Sequence, residues 1–149
     1  MTSFFQESDK KFVYKHLLSC YNKKIVCAEV GNYTGNSTRF FAENIPPESI
    51  FYSVDVNMHD IDVPDTVVRI QSTSLSWNPP QLDFIYLDGN HNEDYVYSEI
   101  KKFREVTRVI AGHDCKLVQG ALMRHIDNRD WPMTLLIDNQ SSSWIIRYD

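Results

Sequence analysis

The chain has 149 residues, 42% of them hydrophobic and 13% aromatic, with 15 basic side chains against 20 acidic and a net charge of −5. That composition is globular, and the length suits a single domain over 1–149 that buries about two-thirds of its unfolded surface. The acidic balance, with no Lys/Arg stripe, argues against a nucleic-acid partner. No apolar run approaches the ~18 residues of a membrane helix, so no membrane partner is expected. Met1 to Phe5 is too short for a targeting segment. Three cysteines without metal-type spacing suit a reducing cytoplasm, with Cys20 and Cys27 read as small buried hydrophobes.

Ser8 caps a first helix that is expected to run to about Tyr21, with Phe12, Val13, Leu17 and Tyr21 on one face. Ile25 to Val30 reads as the first strand. It enters the loop Gly31-Asn32-Tyr33-Thr34-Gly35, and a second helix follows from about Ser37 to Asn44, stopped by Pro46-Pro47. Ile50 to Val54 is a second strand ending at Asp55, and the polar segment Asn57 to Thr66 is a loop. Val67 to Ile70 is a short third strand; Gln71 to Gln81, with Trp77 and Pro79-Pro80, is irregular. Leu82 to Leu87 is the fourth strand and ends at Asp88. Asn92 caps the next helix, where Glu93 and Asp94 suit the positive end of the dipole and Val96, Ile100 and Phe103 face inward. A fifth strand, Thr107 to Ala111, runs into Gly112-His113-Asp114. A helix from about Lys116 to Ile126 buries Val118, Ala121, Leu122 and His125. Met133 to Ile137 and Trp144 to Tyr148, joined by a polar turn, read as an antiparallel hairpin.

Alternating strands and helices, with continuous apolar runs in the central strands, indicate an α/β, mostly parallel, doubly wound sheet. Such sheets bind ligands outside the carboxyl ends of their strands. Glu29, Asp55, Asp88 and Asp114 all fall at that edge. Any one of them could serve as a turn or cap residue, but grouped carboxylates repel unless a cation or a donor-rich ligand offsets them. The glycine loop lacks the lysine of a phosphate-binding loop, and Tyr33 and Asn36 occupy the second and third glycine positions of a dinucleotide fingerprint. A cationic nucleoside suits the edge better. S-adenosylmethionine carries a positive sulfonium and ammonium, and its ribose diol can donate to a carboxylate such as Asp55.

The run Ala28-Glu29-Val30-Gly31-Asn32-Tyr33-Thr34-Gly35-Asn36-Ser37-Thr38 resembles the first motif of class I S-adenosylmethionine-dependent methyltransferases. Phe84 to His91 and Ile110 to Asp114 narrow the likeness to the branch of macrocin-type sugar O-methyltransferases and cephalosporin-hydroxylase-like proteins. The resemblance spans Ile25 to Asp149 and implies a Rossmann-like class I methyltransferase fold ending in the antiparallel hairpin. It implies that Glu29, Gly31, Asn32, Tyr33, Thr34, Gly35 and Ser37 hold the methionine end of the cofactor. Asp55 would accept from the ribose, and Ser72 and Thr73 (with Ser74) would lie near the adenine. Asp88 and His91 match an Asp-x-x-His pattern that supplies a metal ligand and a general base in that branch. Asp88 is thereby a cofactor-site, metal and catalytic candidate, with Asp114 and His113 as further ligands for Mg²⁺.

The expected reaction is methyl transfer to a hydroxyl of a small molecule or sugar, with His91 as base. A cofactor-binding or interaction protein of the same fold, without methyl transfer, is the alternative. A homo-oligomer is compatible with either. Tyr33, Trp77 and Trp131 are candidate pocket aromatics, although such residues more often pack a core. His16, His59 and His125 read as structural or solvent-facing.

Overall fold

In the central strands successive residues serve opposite layers, as the two-residue period of a pleated strand requires. Ala28, Val30, Val54, Ile85, Leu87, Ile110, Trp144 and Ile146 pack into one cluster, while Cys27, Phe51, Phe84, Tyr86, Ala111 and Ile145 pack into the other. The computed structural model describes residues 5–127 and 132–149, so Trp131 lies outside the described residues.

The strands are β1 (Val26–Val30), β2 (Ile50–Asp55), β3 (Val67–Gln71), β4 (Phe84–Leu87), β5 (Val109–Gly112), β6 (Met133–Ile137) and β7 (Trp144–Tyr148). They form one sheet in the order β3-β2-β1-β4-β5-β7-β6. The first five run parallel, with β1 between β2 and β4, and β7 is antiparallel to both β5 and β6. The helices are α1 (Glu7–His16), α2 (Asn36–Asn44), α3 (Glu93–Phe103) and α4 (Gln119–Asp127). Phe12 of α1 and Phe41 of α2 cover one face, while Val96 and Ile100 of α3 and Leu122 of α4 cover the other. This is the doubly wound sheet with a closing hairpin that the sequence pattern predicts.

Several boundaries differ from expectation, each for a local reason. Helix α1 starts earlier, with Gln6 as its cap: the Gln6 amide donates to Asp9 Oδ2 at 2.9 Å, and Ser8 lies inside the first turn. It also ends earlier, at His16, because side chains take its last carbonyls: Ser19 Oγ donates to Lys15 O at 2.8 Å and Arg147 donates to His16 O. The chain continues as a 3₁₀ turn, Leu18–Cys20, which leaves Cys20 exposed while Cys27 is buried. Strand β5 begins at Val109 because Thr107 Oγ1 accepts the Val109 amide at 3.2 Å, a turn that competes with ladder pairing. Asn92 caps α3 as expected, accepting the Tyr95 amide at 3.2 Å. No helix separates β3 from β4. Trp77, offered as a pocket aromatic, is instead a core residue packed on Tyr52 and Phe103.

Candidate active site

The parallel strands end along one edge, and the sharpest turn there follows β1. Gly31 (φ +87°) and Gly35 (φ +83°) both adopt the left-handed region, where a side chain is strained. The Gly31 amide donates to Val54 O at 2.7 Å, and a Cβ at Gly31 would stand 2.3 Å from the Asp88 carbonyl oxygen. Only a glycine lets the loop pass this close to the end of β4. Gly35 then occupies the cap position of α2.

Asp55, at the end of β2, anchors the loop from the side: its Oδ2 accepts the Asn32 amide at 2.9 Å and its Oδ1 accepts the Asn57 amide at 3.0 Å. His59 Nε2 stands 3.6 Å from Oδ1, so this histidine belongs to the rim of the site rather than to open solvent. Glu29 does not reach the cleft. It is fully buried on the α2 side of the sheet, where Ser37 and Ser53 donate to it at 2.8 Å and Thr38 adds a further bond. Burial pushes its carboxyl up to about 7, against those three hydroxyls. Glu29 therefore holds the loop from beneath, and it does so with the Ser37 hydroxyl that was expected to face the cofactor.

Two cavities open along the edge. The first, about 430 Å³, is lined by Gly31, Tyr33, Asp55, His59, Ser72, Thr73, Ser74, His91 and Glu99, among others. The second, about 350 Å³, is lined by Phe5, Asn32, Tyr33, Thr34, Ser37, Asp88, His91 and Asp114, among others. Both sizes are in the range of small-molecule sites. Tyr33 and His91 line both. Tyr33 bridges the cleft by donating from its hydroxyl to Gly89 O at 3.1 Å. In the second cavity, Phe5 stacks against Phe40 and Phe41 and at right angles to Tyr86, so the segment before α1 supplies an apolar wall that sequence reading missed.

Asp88, His91 and Asp114 bring one donor atom each within 4.8 Å of one another. His91 Nε2 is 2.8 Å from Asp114 Oδ2 and 3.6 Å from Asp88 Oδ1. Two carboxylates and one imidazole fit a hard divalent cation, since neighbouring ligands on an octahedral ion at 2.0–2.1 Å stand roughly 3 Å apart. Hydrogen bonding to Asp88 raises the His91 pKa above its ordinary value against partial burial, with Asp114 adding to it.

His113 lies behind this group rather than in it. Its ring is buried, with Nε2 3.2 Å from Asp9 Oδ2, and Nδ1 3.5 Å from Asp88 Oδ1 and 3.4 Å from Asp114 Oδ2. Burial opposes its charge, but Asp88 and Asp9 outweigh that and hold its pKa near 10. His113 therefore braces the carboxylates from behind, and the donor atoms that converge are those of Asp88, His91 and Asp114 without it. Cys115 is half-buried with its thiol pKa raised by burial, which leaves it unreactive. Among the described residues, no helix is long and apolar enough to cross a membrane.

No family model and no curated protein matches this chain. Solved structures do. The MycE methyltransferase of the mycinamycin biosynthetic pathway, in complex with Mg, SAH (S-adenosylhomocysteine) and mycinamycin VI, aligns with 99% of this chain at a TM-score of 0.76 and 15% identity. This chain spans 50% of that protein's length. An O-methyltransferase from Bacillus cereus in complex with SAH aligns with 96% of this chain and 81% of its own, at a TM-score of 0.72 and 15% identity. A Clostridium thermocellum protein assigned as an rRNA-methylase aligns over 100% of both chains, at a TM-score of 0.69 and 10% identity. At these identities the likeness establishes the fold, which is that of class I S-adenosylmethionine-dependent methyltransferases.

Proposed function

We propose that this chain, which carries the class I methyltransferase fold, transfers a methyl group from S-adenosylmethionine to a hydroxyl of a small molecule or sugar. The observation that carries the reading is the position of His91, which lines both cavities. On one side stands Asp55, the carboxylate placed to accept from a ribose diol; on the other stand Asp88, Asp114 and the apolar wall at Phe5. A methyl donor in the first cavity and an acceptor in the second would meet at His91.

In this reading, the backbone of Gly31 to Gly35 and Asp55 hold the cofactor, while Ser72 and Thr73 flank its base. S-adenosylmethionine, when bound, would supply an electrophilic methyl group to an acceptor oxygen, with its carbon–sulfur bond as the one that breaks. His91 is the residue placed to take the acceptor's hydroxyl proton as the methyl group moves and S-adenosylhomocysteine is left. Most of the acceleration is alignment of the two reactants. Asp88 and Asp114 are the residues that would hold Mg²⁺, which supplies a lowered hydroxyl pKa and a fixed oxygen position when bound. His91 either completes that ligand set or stays free as the base. The net charge of −5 favours a small neutral or cationic acceptor over nucleic acid.

Calorimetry with S-adenosylmethionine and S-adenosylhomocysteine, each with and without Mg²⁺, tests the reading. Binding of both is expected, and no binding of either at millimolar concentration sinks it. Transfer to a panel of hydroxyl acceptors, lost in His91→Asn with cofactor binding kept, separates an enzyme from a binding module. The module reading draws on the direct passage from β3 to β4 without an intervening helix.

A further inference from the structure

Val96, Glu99, Ile100 and Phe103 form the buried stripe of α3 at helical spacing, so Glu99 is a carboxylate at a core position. It is 1% exposed. Its Oε2 accepts from Ser74 Oγ at 2.5 Å, and Ser74 Oγ also lies 3.3 Å from the Tyr95 hydroxyl. Its Oε1 has no hydrogen-bond partner. Burial pushes the carboxyl up to about 7, even with the Ser74 bond opposing. An unpartnered buried carboxylate oxygen is costly unless a donor reaches it. The nearest cation on the helix does not: Lys102 Nζ donates to the carbonyls of Ser74 and Leu75 at 2.8 and 2.9 Å, and to that of Trp77. Lys102 thereby fastens the segment after β3 onto α3 and sets the wall in which Glu99 sits.

Glu99 lines the first cavity beside Ser72, Thr73 and Ser74. Asp55 pairs with Gln71 across β2 and β3, and the Ser72 amide donates to Asp55 O at 3.0 Å. The Ser74–Glu99 pair therefore lies one short loop beyond the carboxylate placed for the ribose. The group that a nucleoside extends past its ribose is the base. Once ionised, above about pH 7, that oxygen accepts and does not donate, so it selects a base that offers an amine at its edge.

Resting on the proposed methyl-donor reading, we propose that Glu99 Oε1 accepts from the exocyclic amine of the cofactor's adenine and makes the cavity selective for adenine over a 6-oxo purine. Ser72 and Thr73, expected near the adenine, then form the adjoining wall: the Ser72 hydroxyl donates to Thr73 O and Thr73 Oγ1 accepts the Ser76 amide, so both are engaged locally.

The test compares binding, at about pH 8.5 where the Glu99 carboxyl is ionised, of S-adenosylhomocysteine with that of S-inosylhomocysteine, which carries a carbonyl where adenine has its amine. The wild-type protein is expected to bind the inosyl compound at least roughly tenfold more weakly, the scale of one hydrogen bond to a charged group. In Glu99→Gln the amide can rotate to donate to that carbonyl, so the ratio between the two ligands falls several-fold or reverses. Equal wild-type affinity overturns the role of Glu99 while leaving the methyl-donor reading intact. A preference for adenine that Glu99→Gln leaves unchanged overturns it too. Binding of neither ligand by the wild-type protein defeats the methyl-donor reading itself. Should Glu99→Gln not fold, Glu99→Asp, which keeps the charge and withdraws the oxygen by one methylene, takes its place: a reduced ratio is expected, and an unchanged one overturns the role.

Discussion

Asp9 Oδ2 lies 3.2 Å from His113 Nε2, joining the first helix to the loop after β5 across 104 positions of sequence. The other Asp9 oxygen accepts from the hydroxyls of Ser143 and Ser141, at 2.8 and 3.0 Å. One buried carboxylate thus ties α1, the Asp114 loop and the entry to β7 together. It also holds the His113 ring against Asp88 and Asp114, on the side of the two carboxylates away from His91.

Removing that support exposes its cost. Asp9→Ala leaves the His113 imidazolium buried without its partner on one side, and breaking a buried pair in this way destabilises by about 3–5 kcal/mol. Urea unfolding of the variant is expected to show a loss of that size. Asp9→Asn, which keeps an acceptor for the serine hydroxyls, is expected to lose less. Equal stability of Asp9→Ala and the wild type would contradict the arrangement.

The Asp88, His91 and Asp114 group predicts divalent-cation binding. Mn²⁺, followed by electron paramagnetic resonance, is expected to bind the wild-type protein and to be displaced by excess Mg²⁺. Asp88→Asn and Asp114→Asn each remove a charged oxygen ligand, and each is expected to weaken binding at least tenfold. His113→Gln probes a residue placed behind the site, so its Mn²⁺ signal is expected to persist. A signal that disappears in His113→Gln but survives in Asp114→Asn is the contrary result.

Gly31 couples the glycine loop after β1 to the end of β4. A methyl group there would meet the Asp88 carbonyl oxygen at 2.3 Å, and the backbone angle of +87° strains any side chain. The three atoms it would meet, Asp88 O, Asp88 C and Gly89 Cα, are all backbone, so none can step aside cheaply. Gly31→Ala is expected to destabilise the protein by about 3 kcal/mol or more, and to weaken S-adenosylhomocysteine and Mn²⁺ binding together. Loss of one ligand without the other would show that loop and strand end are independent.

Two buried carboxyls set a pH dependence. Glu29 and Glu99 both have folded pKa values raised to about 7, chiefly by burial. A raised carboxyl means that the folded state binds more protons than the unfolded state. The stability they provide is therefore full below about pH 4.5 and falls as pH rises through 7. Chemical denaturation between pH 5 and 8 is expected to show a decline on the order of 2–3 kcal/mol for each group, which Glu29→Gln reduces and Glu29→Gln/Glu99→Gln flattens further. A decline of equal size in the double variant assigns the effect to other groups.

The order of elements, the parallel sheet with its closing hairpin, and the placing of Asp55, Asp88 and Asp114 at one edge were legible in the sequence. Each follows from local rules: apolar runs of strand length, a glycine loop before a helix, and strands that end at a carboxylate. What stayed hidden depended on contacts distant in the chain or on a choice between faces. Glu29 reads like its three companions, yet the strand period turns it toward α2 and away from the cleft. His113 and His91 are alike as letters, but only packing put His113 under Asp9, 104 residues earlier, and left His91 between two cavities. Glu99 did leave a trace, as a charge within an apolar helical stripe.

By itself, then, the sequence determined the scaffold and the acidic edge on which a ligand can sit, because secondary structure and strand ends obey short-range periodicity. The tertiary structure decided which carboxylates line the cavities, which histidine stands between them, and which buried oxygen lacks a partner. Those outcomes rest on burial and charge pairing between segments far apart in the chain, and no local pattern encodes them.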